Sequence, residues 1–345
     1  MSDDLSSISA GSPAPRRGGL LEYGRSASLF SRIRPHVPIL ATILCFVALY
    51  VAASIRYNNF LSYNVFVNVL VRGNVVLGLA AIGMTFVILS GGIDLSVGAI
   101  VGLVSIGSAR LMEEAGLPPA IVLPMAIALG TLFGAGQGAL IAFFSLPPFL
   151  VTLAGLFLAR GLAFAISEQS IGIDNALYDR VADIGFDFFP PTIAFFALAL
   201  VVAIWIAHQT RFGRSAYAIG GNEQSAILMG VPVRRSKVLI YALSGLCAAL
   251  AGIIWTFDNN RGHAVAGEML ELDAIAAVVI GGTLLTGGVG YVAGTLVGVL
   301  ILGIIQTTLA FEGLDAYLAR ITIGGLLLLF ILLQKLTQSR LGRGA

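Results

Sequence analysis

An aspartate, Asp94, stands in one of the most apolar stretches of the chain, Gly83-Met84-Thr85-Phe86-Val87-Ile88-Leu89-Ser90-Gly91-Gly92-Ile93-Asp94-Leu95-Ser96-Val97-Gly98. A carboxylate in such surroundings is costly unless it faces water, a partner or a helix end. Two glycines followed by Ile-Asp-Leu-Ser predict a chain break and a restart, with Asp94 near the new helix N-terminus, where free N–H groups favour an anion. Two roles are open to it: an architectural cap, or part of the lining of a polar route. Thr85, Ser90 and Ser96 carry the same two readings, because hydroxyls also return hydrogen bonds to their own helix. Gln137, beside Gly134 and Gly138, brings an amide that needs a partner or a water-lined cavity. Asn74 and Thr152 complete the candidate set, and Asn68 and Arg72 precede it as a possible rim. Arg160 either snorkels to headgroups or meets a carboxylate or ligand.

Other chemistry is thinly represented. His36, His208 and His263 have no metal-ligand spacing, and Cys45 and Cys247 sit in apolar runs as packed thiols rather than a disulfide framework. The sequence has no GxxxxGK[ST] phosphate loop, and its only lysines are Lys237 and Lys335. No cofactor is expected on this chain, and proton coupling is weakly supported because only Asp94 and Arg160 are candidates for it.

The elements that hold these residues follow from composition. Of 345 residues, 57% are hydrophobic and 11% charged, which excludes a disordered chain and argues strongly against a soluble domain. The net charge of +2 provides no basic field for nucleic acid. Apolar runs at 37–54, 65–90, 93–108, 119–144, 149–166, 190–207, 237–257, 274–286, 289–311 and 320–334 predict an all-α polytopic membrane protein of about ten spans. The runs 93–108 and 274–286 are short enough to be broken or re-entrant.

Charge sets the orientation. Arg16, Arg17, Arg25, Arg32, Arg34, Arg211, Arg214, Arg234, Arg235, Lys237, Lys335, Arg340 and Arg343 are thirteen of twenty basic residues, and all fall where a ten-span chain with both termini inside puts the cytoplasm. Thirteen of eighteen acidic residues, Glu113, Glu114, Glu168, Asp174, Asp179, Asp183, Asp187, Asp258, Glu268, Glu271, Asp273, Glu312 and Asp315, fall in the opposite loops. The expected organisation is a flexible cytoplasmic tail 1–35, a transmembrane domain 36–335 containing a cytoplasmic loop 208–236, and a cytoplasmic tail 336–345.

Glycine, 42 residues in all, recurs at small-residue spacing in Gly130, Gly134 and Gly138, in Gly98 and Gly102, and in Gly294 and Gly298, which reads as close helix packing. Shifted by 196 residues, Leu89-Ser90-Gly91-Gly92-Ile93 overlies Leu285-Thr286-Gly287-Gly288-Val289. This predicts a two-half internal repeat whose broken-helix glycines, Gly91, Gly92, Gly287 and Gly288, point to a transport route. In the loop 208–236, Asn222 is placed to cap a short amphipathic helix carrying Glu223 in its first turn and Ala226 on its apolar face, with Gly230 ending it before Pro232. That helix either lies on anionic lipid or docks a partner.

Three stretches together resemble the permease subunits of sugar-importing ABC transporters, the branch that includes the ribose, xylose and galactofuranose systems. They are Gly83–Gly98; Phe212-Gly213-Arg214 through Tyr217-Ala218-Ile219-Gly220-Gly221-Asn222 to Gly230; and Glu271-Leu272-Asp273-Ala274-Ile275-Ala276 with Gly281–Gly288, within a likeness covering about 37–334. Ile171-Gly172-Ile173-Asp174 and 211–230 are most similar to a galactofuranose-importer permease. The resemblance implies a non-enzymatic subunit of the bacterial inner membrane that imports a monosaccharide by alternating access. It further implies a second permease subunit, two cytoplasmic ATP-binding subunits or one tandem chain holding ATP and Mg, and a periplasmic sugar-binding protein. Gly221, Asn222, Glu223, Ala226 and Gly230 would then couple to the ATPase. The rival expectation is an ion-coupled secondary transporter of a small polar solute.

Overall fold

A computed structural model describes residues 37–178, 190–313 and 316–341. The tail 1–35 with its arginines, the acidic Asp179, Asp183, Asp187 and Asp315, and the basic Arg343 lie outside the described residues. From Pro38 onward the chain forms one compact unit.

Helix α1 is Val37–Arg56. Helix α2, Val75–Leu89, is entered through a π-helical turn, Val65–Val71, and a short 3₁₀ turn, Arg72–Asn74. Then follow α3, Val97–Glu113, α4, Pro119–Phe143, α5, Pro148–Ile166, and α6, Pro191–Gln209. The last three each begin at the second residue of a Pro-Pro pair, where a missing N–H is free of cost and φ is already helical. Two short helices, α7, Arg211–Gly221, and α8, Glu223–Leu228, lead into the long α9, Val233–Asn259. The chain closes with α10, Leu270–Ile280, α11, Val292–Phe311, and α12, Ala316–Leu341. One small antiparallel ribbon pairs β1, Ile171–Gly172, with β2, Arg261–Gly262, in the register Ile171↔Gly262.

Among the described residues, seven helical stretches are long and apolar enough to cross a membrane, and α12 adds the shorter apolar stretch Tyr317–Leu332. Helix α3 has 17 residues and α10 only 11. At about 1.5 Å per residue α10 rises about 16 Å, roughly half of a ~30 Å hydrocarbon layer, and so is a broken span. It begins four residues before the predicted run at 274, because Glu271 and Asp273 interrupt the apolar pattern while suiting a helix's first turn.

The repeat is written into the helix boundaries. Shifted by 196 residues, the starts of α1, α2, α3 and α4 fall at 233, 271, 293 and 315, within one residue of the starts of α9, α10, α11 and α12. Helix α2 is the centre of the fold, with every residue from Leu77 to Leu89 buried. Helices α4 and α9 make the most intimate contact. A Cβ on Gly130 would lie 2.6 Å from the Gly245 carbonyl, one on Gly138 2.8 Å from Val238 Cα, and one on Gly134 would fall on the Tyr241 carbonyl. With lipid on the outside, such backbone approach rather than water exclusion holds the helices together.

Candidate functional site

Two groups of sequence-predicted residues come together, and they are joined by the Gly-Gly turns. The first group is the α7–α8 corner. The Asn222 side chain accepts the Ser225 N–H at 2.8 Å and caps α8. Glu223, in the first turn of α8, accepts two hydrogen bonds from Lys237 Nζ at 2.7 and 2.8 Å. Ala226 is fully buried beside Ile219 and Val233. Gly230, at φ +78°, takes the left-handed conformation that lets its N–H reach the Ile227 carbonyl at 3.0 Å and closes the helix. Gly221 is open, with nothing near the position of an added Cβ.

Helix α8 is amphipathic with its apolar residues divided between two directions. Ala226 anchors it inward, while Ile227, Leu228 and Met229 are exposed, Leu228 at 87%. Alongside runs a groove of about 880 Å³, lined by Phe143, Leu146, Ile227, Arg234, Arg235 and Lys237. An apolar knuckle beside a basic groove suits a protein partner with an apolar pocket and an acidic rim.

Helix α7 is a finding that the sequence reading missed. Thr210 caps it by accepting the Gly213 N–H at 3.1 Å, and Gly213, Ala216 and Ile219 form its buried stripe. Tyr217 donates its hydroxyl to the Gly290 carbonyl at 2.8 Å. Burial, with Tyr291 as a lesser cause, pushes that phenol up to about 12. At the other end of α7, Gly220 abuts the turn after α2 and the turn after α10. Gly91, Gly287 and Gly288 all have positive φ there, and the Gly288 N–H donates to the Leu89 carbonyl at 2.9 Å. Both Gly-Gly turns thus lie at one end of the bundle, against α7.

The second group surrounds Asp94. Its Oδ1 accepts the Ser96 N–H at 2.9 Å and the Ser96 hydroxyl at 2.6 Å, and its Oδ2 accepts the Ser244 hydroxyl at 2.7 Å. Ser96, not Asp94, is the residue that precedes α3, so the carboxylate braces the restart from two positions upstream. The Ser96 hydroxyl also lies 3.2 Å from Gln137 Oε1, and Gln137 Nε2 packs on the backbone of Gly155. Thr152 joins the group by donating to the Ile93 carbonyl at 3.1 Å. The Tyr241 hydroxyl lies against Gly92, which has no side chain to displace it.

Thr85, Ser90 and Asn74 lie apart from this cluster. Thr85 is bonded to Thr295 at 2.8 Å and to the Ala81 carbonyl, linking α2 to α11. Ser90 returns its hydroxyl to the Val87 carbonyl at 2.8 Å, and Asn74 donates to the Leu70 carbonyl at 2.9 Å where α11 passes with Gly303. Thr85, Asp94, Ser96 and Thr152 are fully buried, Asn74 and Gln137 nearly so, and Ser90 is half-buried. Within this chain these groups act as internal ties. Arg160 donates its Nη1 to the backbone carbonyls of Ala264 and Ala266, in space left by Gly102, and the carboxylates of Glu271 and Glu268 lie within electrostatic reach of it. Ser244, Tyr241 and Thr295 were not foreseen, although a hydroxyl in an apolar helix is the signal that marks each of them.

Comparison with known proteins agrees with this architecture. Residues 65–332 match the family described as branched-chain amino acid transport system / permease component. The inner membrane ABC transporter permease protein YjfF of Escherichia coli (strain K12) is 44% identical over 310 residues, covering 88% of this chain and 93% of that protein. The fructose import permease protein FruG of Bifidobacterium longum (strain NCC 2705) is 36% identical, covering 89% of this chain and 93% of its own length. The ribose import permease protein RbsC of Bacillus subtilis (strain 168) is 39% identical, covering 77% and 83%. No solved structure gives a significant match. The match of residues 65–332 and the identity to permeases over most of both chains show that the chain belongs to this permease-component family and is a membrane subunit of an ABC-type transporter.

Proposed function

We propose that this chain forms one half of the translocation unit of an ATP-driven, binding-protein-dependent monosaccharide importer. It would sit in a bacterial inner membrane with both termini and the α7–α8 corner in the cytoplasm. The observation that carries this reading is the α7–α8 corner, an exposed apolar knuckle beside a basic groove and braced on the helix turns behind it. Two cytoplasmic ATP-binding subunits, or one tandem chain, would hold ATP and Mg. A second permease and a periplasmic sugar-binding protein would complete the complex.

An uncharged sugar is supported by the fructose and ribose names of two relatives and by the scarcity of free buried charge. The likeness of Ile171–Asp174 and 211–230 to a galactofuranose permease makes galactofuranose, or a related monosaccharide, the sugar to test first, although none of the three relatives described above is named for it. The cycle is alternating access: ATP binding closes the ATPase pair, the α8 corner moves with it, and the helices reopen toward the other face. The corner has to bind the partner differently in the two states, because equal affinity shifts nothing. The residues around Asp94, with Asn74 and Thr85, serve as the architecture of that route.

The test is reconstitution of the complex in liposomes with a panel of furanose and pyranose sugars. Uptake that requires both ATP and the binding protein supports the reading. Uptake by this chain alone, driven by an ion gradient, replaces it with secondary transport.

A further inference from the structure

We infer that α7 delivers the docking motion to both halves of the repeat at once, through Gly220 seated between the two Gly-Gly turns. This rests on the proposed coupling role of residues 221–230 and adds a positioning residue to it. A Cβ on Gly220 would fall on the Leu89 carbonyl, at the end of α2, and would lie 2.5 Å from Gly288 N, in the turn after α10. From the other side, a Cβ on Gly287 would lie 2.9 Å from Gly220 Cα and 2.8 Å from Gly91 N, and one on Gly288 2.7 Å from Gly221 Cα. Three stretches of main chain therefore touch with no side chain between them. The Leu89–Gly288 hydrogen bond ties the two turns to each other, and Tyr217, one turn back on α7, holds the second of them through Gly290.

Main chain packed on main chain has no rotamer to absorb a displacement, so a small shift of α7 moves its neighbours instead. The turn after α2 continues into Asp94 and α3, and the turn after α10 continues into α11. These are equivalent positions in the repeat. A push on α8 is carried by Asn222 and Gly221 into α7, and from Gly220 it reaches the corresponding joint of each half.

The experiment compares Gly220→Ala, Tyr217→Phe and Gly230→Trp in the full reconstituted complex, with Gly161→Ala as the control because an added Cβ there meets nothing. The readout is sugar moved per ATP hydrolysed, alongside complex recovery. Gly220→Ala is expected to lower that ratio about tenfold in assembled complexes, and Tyr217→Phe by about two- to threefold. A structural fault alone would lower recovery and leave the ratio intact. Wild-type ratios for Gly220→Ala and Tyr217→Phe, with Gly230→Trp uncoupled, overturn this inference and leave the coupling loop standing. A wild-type ratio for Gly230→Trp as well overturns the coupling reading itself. Should Gly220→Ala fail to assemble, Tyr217→Phe decides alone.

Discussion

The Ser244 hydroxyl donates to Asp94 Oδ2 at 2.7 Å, pinning the middle of α9 to the restart between α2 and α3 across 150 residues of sequence. The carboxylate receives three hydrogen bonds in a fully buried position, and removing it takes the acceptor from the Ser96 N–H and the Ser244 hydroxyl. Asp94→Leu is expected to cost about 3 kcal/mol or more and Ser244→Ala about 1 kcal/mol. Thermal unfolding in detergent measures both. Wild-type stability of Asp94→Leu would mean that the carboxylate does not hold the restart.

Gly134 and Gly136 lie two residues apart on α4 and face different surroundings. A Cβ on Gly134 would fall on the Tyr241 carbonyl, whereas one on Gly136 meets nothing. Gly134→Leu is expected to abolish recovery of folded protein, while Gly136→Leu stays within about 0.5 kcal/mol of wild type. Size-exclusion profiles of the two variants check the contrast, and equal profiles would contradict the α4–α9 packing.

At the docking corner, Asn222→Ala removes the cap of α8 and should weaken that helix by about 1 kcal/mol. Gly221→Trp and Gly230→Trp add bulk before and after α8, and Gly230→Trp also strains the left-handed turn at φ +78° that closes it. Both are expected to insert in the membrane normally and to separate ATP hydrolysis from transport. Normal transport by well-expressed variants would remove α8 from the coupling path.

Lys237 and Glu223 are paired at 2.7 Å with the lysine at 19% and the glutamate at 47% exposure. A half-exposed pair of this kind contributes only about 0.2–1 kcal/mol. A double-mutant cycle with Lys237→Gln and Glu223→Gln should show that coupling at low salt and lose most of it in 1 M salt. A large, salt-independent coupling would point to a buried pair.

Tyr217 gives a prediction in pH. Its folded value is raised above the ordinary phenol value of 10 to about 12, chiefly by burial. The stability it contributes is therefore complete below pH 10 and is lost as pH rises through about 12. Alkaline titration followed by tyrosinate absorbance should lose one phenol titrating near 12 when Tyr217→Phe is compared with wild type. If the two titrations superimpose near pH 12, the assignment to Tyr217 is wrong.

Much of the fold is legible in the sequence because the bilayer imposes a length on each apolar run. The predicted 149–166 corresponds to Pro148–Ile166 and the predicted 119–144 to Pro119–Phe143, since Pro-Pro pairs fix where those helices start. Asp94 is equally visible, as the one carboxylate in its apolar segment. Its partner Ser244 is not, because contact across 150 residues leaves no local spacing to read. Helix α7 escapes for a different reason. It has eleven residues and a polar outer side, and only the period of Gly213, Ala216 and Ile219 betrays the face it buries.

The agreement between α1–α4 and α9–α12 carries a topological consequence. The joints after Leu89 and after α10 touch, so corresponding ends of the two copies lie together at one end of the bundle, against α7. The duplicated chain thus sets two like hinges side by side, and one short helix touches both.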